Sequence, residues 1–73
     1  AGRSDVVVAT KNSVFIFELK MDKGRDFEEV AAEALTQISA NGYADRFAVS
    51  GKQLFKIGVV FSSDGKGMIG WKY

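Results

Sequence analysis

The run Phe15-Ile16-Phe17-Glu18-Leu19-Lys20 places a carboxylate and an ammonium two residues apart at the end of an otherwise apolar segment. Alternate residues of a strand point to the same face, so Glu18 and Lys20 project together. Phe15, Phe17 and Leu19 then occupy one face, and Val14 and Ile16 share the other with the two charges. Apolar residues on both faces predict a strand, Val14 to Lys20, that is covered on both sides. Charges are costly to take out of water, so a strand of this kind needs a reason to carry them. The preceding segment, Asp5-Val6-Val7-Val8-Ala9, is short and β-branched, a strand signal. Thr10-Lys11-Asn12-Ser13 reads as the turn between the two. A two-residue turn at Lys11-Asn12 sets Asp5 directly opposite Glu18, with Cβ atoms about 5 Å apart. Ionised carboxylates in that position repel, and a divalent cation removes the penalty.

Beyond this hairpin, Met21 to Arg25 is a charged connection. Asp26 followed by Glu29 has the spacing of a capping box, with Asp in place of Ser or Thr. The spacing predicts a helix from about Phe27 to Ala40, its buried stripe formed by Phe27, Val30, Ala31, Ala34, Leu35 and Ile38. Asn41-Gly42 is its stop. Residues 43–47 form a short connection, and a turn at Ser50-Gly51 leads to a third strand from Gln53 to Phe61. Ser62 to Gly67 is a loop. Met68 to Tyr73 reads as a last strand with Ile69, Trp71 and Tyr73 on one face. A helix between the second and third strands implies a crossover and a mixed ββαββ sheet.

At 73 residues with 47 % hydrophobic and 26 % charged content, the chain is sized for one domain, residues 1–73, with a marginal core. The absence of Cys and His excludes ordinary structural zinc sites and Cys/His nucleophile pairs. Any metal must be hard and oxygen-bound, Mg2+ or Mn2+. Lack of Cys fits a reducing, cytoplasmic compartment. No apolar run approaches the roughly 20 residues that span a bilayer, which predicts no membrane partner. The net charge of +1 offers little general attraction for nucleic acid, so any such function must rest on local chemistry.

Asp5 followed by Glu18-x-Lys20 at the end of a hairpin resembles the core of the PD-(D/E)xK nuclease superfamily. Four blocks extend the likeness over essentially the whole chain: Gly2-Arg3-Ser4-Asp5; Phe15 to Lys20; Ala34-Leu35-Thr36-Gln37-Ile38 with Gly42-Tyr43-Ala44; and Ile57-Gly58-Val59-Val60-Phe61-Ser62 followed by Trp71. They look like the branch at the C-terminus of certain AAA-ATPase-like bacterial proteins. The resemblance implies an α/β (α+β) fold, a minimal restriction-endonuclease-like core that lacks the family's first helix. That helix is absent, was removed, or is replaced by another subunit. A second departure lies in the helix, where related nucleases often carry Gln and Tyr four residues apart. Here Asn41 stands at that distance from Gln37, and Tyr43 lies beyond the cap.

The implied activity is that of a metal-dependent endodeoxyribonuclease, a phosphodiester hydrolase. Asp5 and Glu18 bind Mg2+ or Mn2+, with the Leu19 carbonyl as a further ligand. Lys20 orients water or stabilises transition-state charge, and Gln37 hydrogen-bonds the water or a phosphate oxygen. Arg3, Lys23 and Lys52 are candidate contacts to the DNA backbone. On residue types alone, Asp5 reads as a strand-start residue and Glu18 with Lys20 as an ion pair at a strand end. The competing function is a catalytically silent module for oligomerisation or for protein or nucleic-acid binding. Size and two-sided apolar strands with one helix leave one sheet face short of cover, which predicts a homo-oligomer, a dimer or larger.

Overall fold

The computed structural model describes residues 5–40, 42 and 51–73. Their elements run β1 (Asp5–Ala9), β2 (Ser13–Met21), α1 (Phe27–Ala40), β3 (Gln53–Phe61) and β4 (Met68–Lys72). The strands form one four-stranded sheet in the order β1-β2-β3-β4. β1 runs antiparallel to β2, β3 parallel to β2, and β4 antiparallel to β3. This is the mixed ββαββ sheet with a crossover helix that the sequence predicts.

The hairpin takes its register from its turn. Thr10 and Ser13 close it: the Thr10 N–H donates to the Ser13 carbonyl at 2.8 Å, and the Ser13 N–H donates to Thr10 Oγ1 at 3.0 Å. Lys11-Asn12 is left as the two-residue tip, and Asp5 pairs with Glu18 and Val7 with Ile16. A slip of one residue would turn every buried β2 side chain to the opposite face.

α1 begins where the Glu29 N–H donates to Asp26 Oδ2 at 3.2 Å, which satisfies one of the amides a helix start leaves open. Glu28 and Glu29 in its first turn complement the helix dipole. Its end is marked by Gly42 at φ 74°, whose N–H reaches the Ser39 carbonyl. Asn41, the connection over residues 43–47 and Ser50 of the expected turn lie outside the described residues; Gly51 keeps a left-handed φ of 74°.

The core lies between α1 and one sheet face. Val14, Ile16 and Ile38 form one cluster, with Leu35 and Leu54 against it; Val30, Ala31 and Val60 form another, with Phe27 against it. Full burial of such a side chain contributes about 1.5–3 kcal/mol. Gly58 lets the helix come close: a Cβ there would lie 2.9 Å from the Ala31 carbonyl oxygen and 3.1 Å from Ala34 Cβ.

The opposite face is open. Phe15 and Phe55 stack there with ring centroids 5.0 Å apart, and with Phe17, Ile57, Val59 and Trp71 they line an apolar groove of about 720 Å3. One expectation is corrected on this face. Val60 pairs with Gly70 but Phe61 with Met68, so a β-bulge leaves Ile69 as the extra residue. Met68, not Ile69, joins Trp71 and Tyr73 at the groove, while Ile69 lines a hollow with Phe27 and Gly70. The strand also ends at Lys72, one residue short of Tyr73.

Candidate active site

β2 leaves the core through Glu18 and Lys20. Glu18 has Asp5 as its antiparallel neighbour and Gly58 as its parallel one. Directly opposite residues in such a pair carry Cβ atoms about 5 Å apart. Glu18 is only 2 % exposed, and Asp5 is half-buried. Burial at Glu18 follows from its neighbour, because the helix presses closest to the sheet at Gly58. Two acidic side chains at facing positions, one almost completely withdrawn from solvent, form a hard, all-oxygen donor pair. That pair fits a divalent cation of the Mg2+ type, which takes carboxylate and carbonyl oxygens. No group of three or more His, Cys, Asp or Glu side chains that could hold a metal occurs among the described residues. The acidic ligand set available there is therefore limited to pairs.

Lys20 lies two positions on, half-buried, on the same side of β2. It opens into a hollow of about 520 Å3 lined also by Glu29, Ala32, Glu33, Thr36 and Gln37. Lys20 of the strand and Gln37 of the helix are thus brought to one cavity, with Asp5 and Glu18 at the adjoining register position. Leu19, between the two charged residues, pairs with Val59 and turns its side chain toward the open face.

The cationic candidates divide. Lys23 sits in the turn after β2, at the Lys20 end of the sheet, with φ 51°. Lys52 immediately precedes Gln53, which pairs with Ser13 at the opposite end. Six strand positions separate the Lys52 end from Gly58, roughly 20 Å at the usual rise per residue. The structure does not gather Lys52 with Asp5 and Glu18. Arg3 lies outside the described residues.

Two groups around the hollow escaped the sequence reading. Arg25 bonds to the carboxylates of both Glu29 and Glu33. Arg25, followed by Lys20, holds the Glu33 carboxyl below its ordinary value. The signal was the spacing Arg25, Glu29, Glu33: the two glutamates lie one turn apart on α1, and Arg25, just ahead of the helix, stands four residues before the first.

No described helix is long and apolar enough to cross a membrane. Residues 1–71 match the PD-(D/E)XK nuclease superfamily. A curated relative, an uncharacterized protein in the vnfD 5′ region of Azotobacter chroococcum mcd 1, is 33 % identical over 70 residues. The alignment covers 96 % of this chain and 13 % of that protein, so the chain spans about an eighth of its relative's length. No solved structure matches. The mixed sheet with its crossover helix is compatible with a minimal restriction-endonuclease-like core, and the match over almost every residue settles the family: the chain belongs to the PD-(D/E)XK nuclease superfamily.

Proposed function

We propose that the chain is a divalent-metal-dependent nuclease domain that hydrolyses phosphodiester bonds in DNA. The observation that carries this reading is the facing of Asp5 and Glu18, with Lys20 on the same strand face opening into a hollow shared with Gln37. Asp5 and Glu18, helped by the Leu19 carbonyl, would hold Mg2+ or Mn2+. When bound, such a cation supplies charge that polarises a phosphate and acidifies water. Lys20 orients that water or stabilises the negative charge that grows on the phosphate oxygens as the bond to the leaving group weakens. Gln37 donates a hydrogen bond to a phosphate oxygen or holds the water in line. Burial at Glu18 keeps bulk water from screening these charges. Lys23 adds a backbone contact at the same end, and Arg3 is assigned the same role from its place beside Asp5 in the sequence. Lys52, far along the sheet, would touch only a longer stretch of DNA.

The test is cleavage of supercoiled DNA with Mg2+ or Mn2+. Wild type is expected to nick it, whereas Asp5→Ala and Lys20→Ala leave only background. Equal cleavage by wild type and Lys20→Ala would remove the basis of the reading.

The same proposal includes self-association through the open sheet face. Four strands of 5, 9, 9 and 5 residues present roughly 400 Å2 in projection. Side-chain relief brings that toward the ~800 Å2 per partner of a stable interface. A second copy seated there would cover Phe15, Phe17, Phe55 and Trp71, and would stand in for the family helix not seen among the described residues. Light scattering at micromolar concentration is expected to give at least twice the 8.0 kDa chain mass. A cytoplasmic setting and a place within a longer protein of the AAA-ATPase-like kind belong to the same reading. The relative's much greater length supports the place within a longer protein, and the AAA-ATPase-like kind rests on the sequence resemblance alone.

A second reading is a silent module that assembles but does not cleave. The breadth of the apolar face favours it. Its signature is self-association with no change in Tm on adding Mg2+ or Mn2+.

A further inference from the structure

The hollow beside Lys20 holds more acid than the proposed chemistry uses. Lys20 faces it from β2, and Glu29 and Glu33 face it from α1, next to Thr36 and Gln37. Asp5 and Glu18 stand at the adjoining register position. An ammonium on a strand opposite carboxylates on a helix has the makings of an ion pair. The glutamates are instead bonded to Arg25. Its Nη1 and Nη2 donate to the two oxygens of Glu33, the Nη1 bond at 3.2 Å, and Nη2 also lies 2.5 Å from Glu29 Oε1. A planar guanidinium fork matches both oxygens of a carboxylate, which a lysine ammonium does not.

Arg25 is set in place before α1 starts. Its N–H donates to the Asp22 carbonyl at 2.9 Å. Asp22 latches that turn to the loop after β3, its Oδ1 accepting from the Ser63 N–H at 2.9 Å. The next residue, Asp26, caps the helix. From this anchored position the guanidinium reaches along the first turns of α1 to Glu29 and Glu33. The hydrogen bond from Arg25 does most to hold the Glu33 carboxyl below its ordinary value, and the charge of Lys20 does least. Glu33 is thus bound to Arg25 while standing within the field of Lys20. Lys20 and Arg25 balance Glu29 and Glu33 across the hollow; without Arg25, two carboxylates would face one ammonium.

We propose that Arg25 is a positioning residue for the candidate site: by occupying Glu33 it keeps that carboxylate from capturing the Lys20 ammonium, which stays available to the hollow. The inference rests on the nuclease reading for the task it gives Lys20, whereas the competition for Glu33 can be measured without cleavage.

The experiment follows acetylation of Lys20 by N-hydroxysuccinimidyl acetate at fixed pH, read by peptide mass spectrometry, with the exposed Lys66 as reference. Arg25→Ala should slow labelling of Lys20 about two- to fivefold, the range that an exposed ion pair spans, and leave Lys66 unchanged. Arg25→Ala with Glu33→Gln should restore the wild-type rate. Arg25→Ala with Glu28→Gln has the same net charge but should stay slow, because Glu28 pairs with Lys72 at 2.5 Å and not with Arg25. Unchanged or faster labelling in Arg25→Ala overturns the proposal, and so does equal recovery in the two double variants. If Arg25→Ala does not fold, Glu33→Gln decides. A rate within about twofold of wild type supports the role of Arg25, and a larger acceleration shows that Glu33 already held Lys20 and overturns it. Supercoiled-DNA cleavage is scored separately. The expected labelling pattern without cleavage by wild type sinks the nuclease reading and leaves Arg25 as the keeper of Glu33; cleavage with unchanged labelling does the reverse.

Discussion

The two faces of the sheet are built from the same strands and solve different problems. Under α1 the side chains are small or branched, interlocked and almost fully withdrawn from water, and the charges of Glu18 and Lys20 emerge at the edge of that packing. On the other face the side chains are larger and aromatic yet only half-buried on β2 and β3 and exposed on β4, with Trp71 57 % and Met68 54 % accessible. Hydrophobicity alone therefore does not decide which face is the core. The helix chooses the face that Gly58 and Gly70 leave low enough to approach, where added Cβ atoms would meet Ala31 and Phe27 at 2.9 and 3.0 Å.

Substitutions on the two faces break or sharpen that contrast. The largest expected effect is chemical. Glu18→Gln keeps the shape and removes the charge, so cleavage should fall by at least the 10²–10³-fold typical of losing one electrostatic group. Metal-free Tm should hold or rise as repulsion with Asp5 is relieved, and the rise in Tm on adding Mg2+ should vanish. Next, Ile16→Ala under the helix should cost about 2–5 kcal/mol in urea unfolding. Ile57→Ala on the open face should cost clearly less in a monomer. Equal losses would mean that the open face is covered in solution. Gly58→Ala should cost about 1–3 kcal/mol, because the added methyl meets backbone as well as side chain.

The smallest effect concerns the loop latch and reads as pH dependence. Bonds from Ser63, chiefly its N–H, hold the Asp22 carboxyl below its ordinary value of 3.8. A depressed carboxyl stabilises the fold above its unfolded value and loses that contribution as pH falls through the lower folded one. Tm profiles of wild type and Asp22→Asn should therefore differ most above pH 3.8 and converge in stronger acid.

Much of this was open to reading in the residues. The hairpin register follows from a two-residue tip between β-branched segments, and α1 from a capping pair ahead of a clear apolar stripe; Asp5 faces Glu18 as that register requires. What escaped was set by tertiary geometry. The bulge at Ile69 has no local signature, because Met68-Ile69-Gly70-Trp71 alternates acceptably in either register. Lys52 is a loop cation by sequence, but the end of the sheet at which its loop falls depends on the parallel pairing of β2 with β3. The choice of face depends on glycines, which carry no hydropathy signal of their own.

The hollow between strand and helix has a consequence for the life of the chain. Lys20 and Gln37 meet only after α1 has swung across and docked, and α1 docks against a strand, β3, that is made later still. The β1–β2 hairpin alone can set Asp5 opposite Glu18, but Gln37 reaches the Lys20 hollow only when α1 is docked. If the proposed nuclease reading holds, the crossover would complete the site only in molecules that have finished folding.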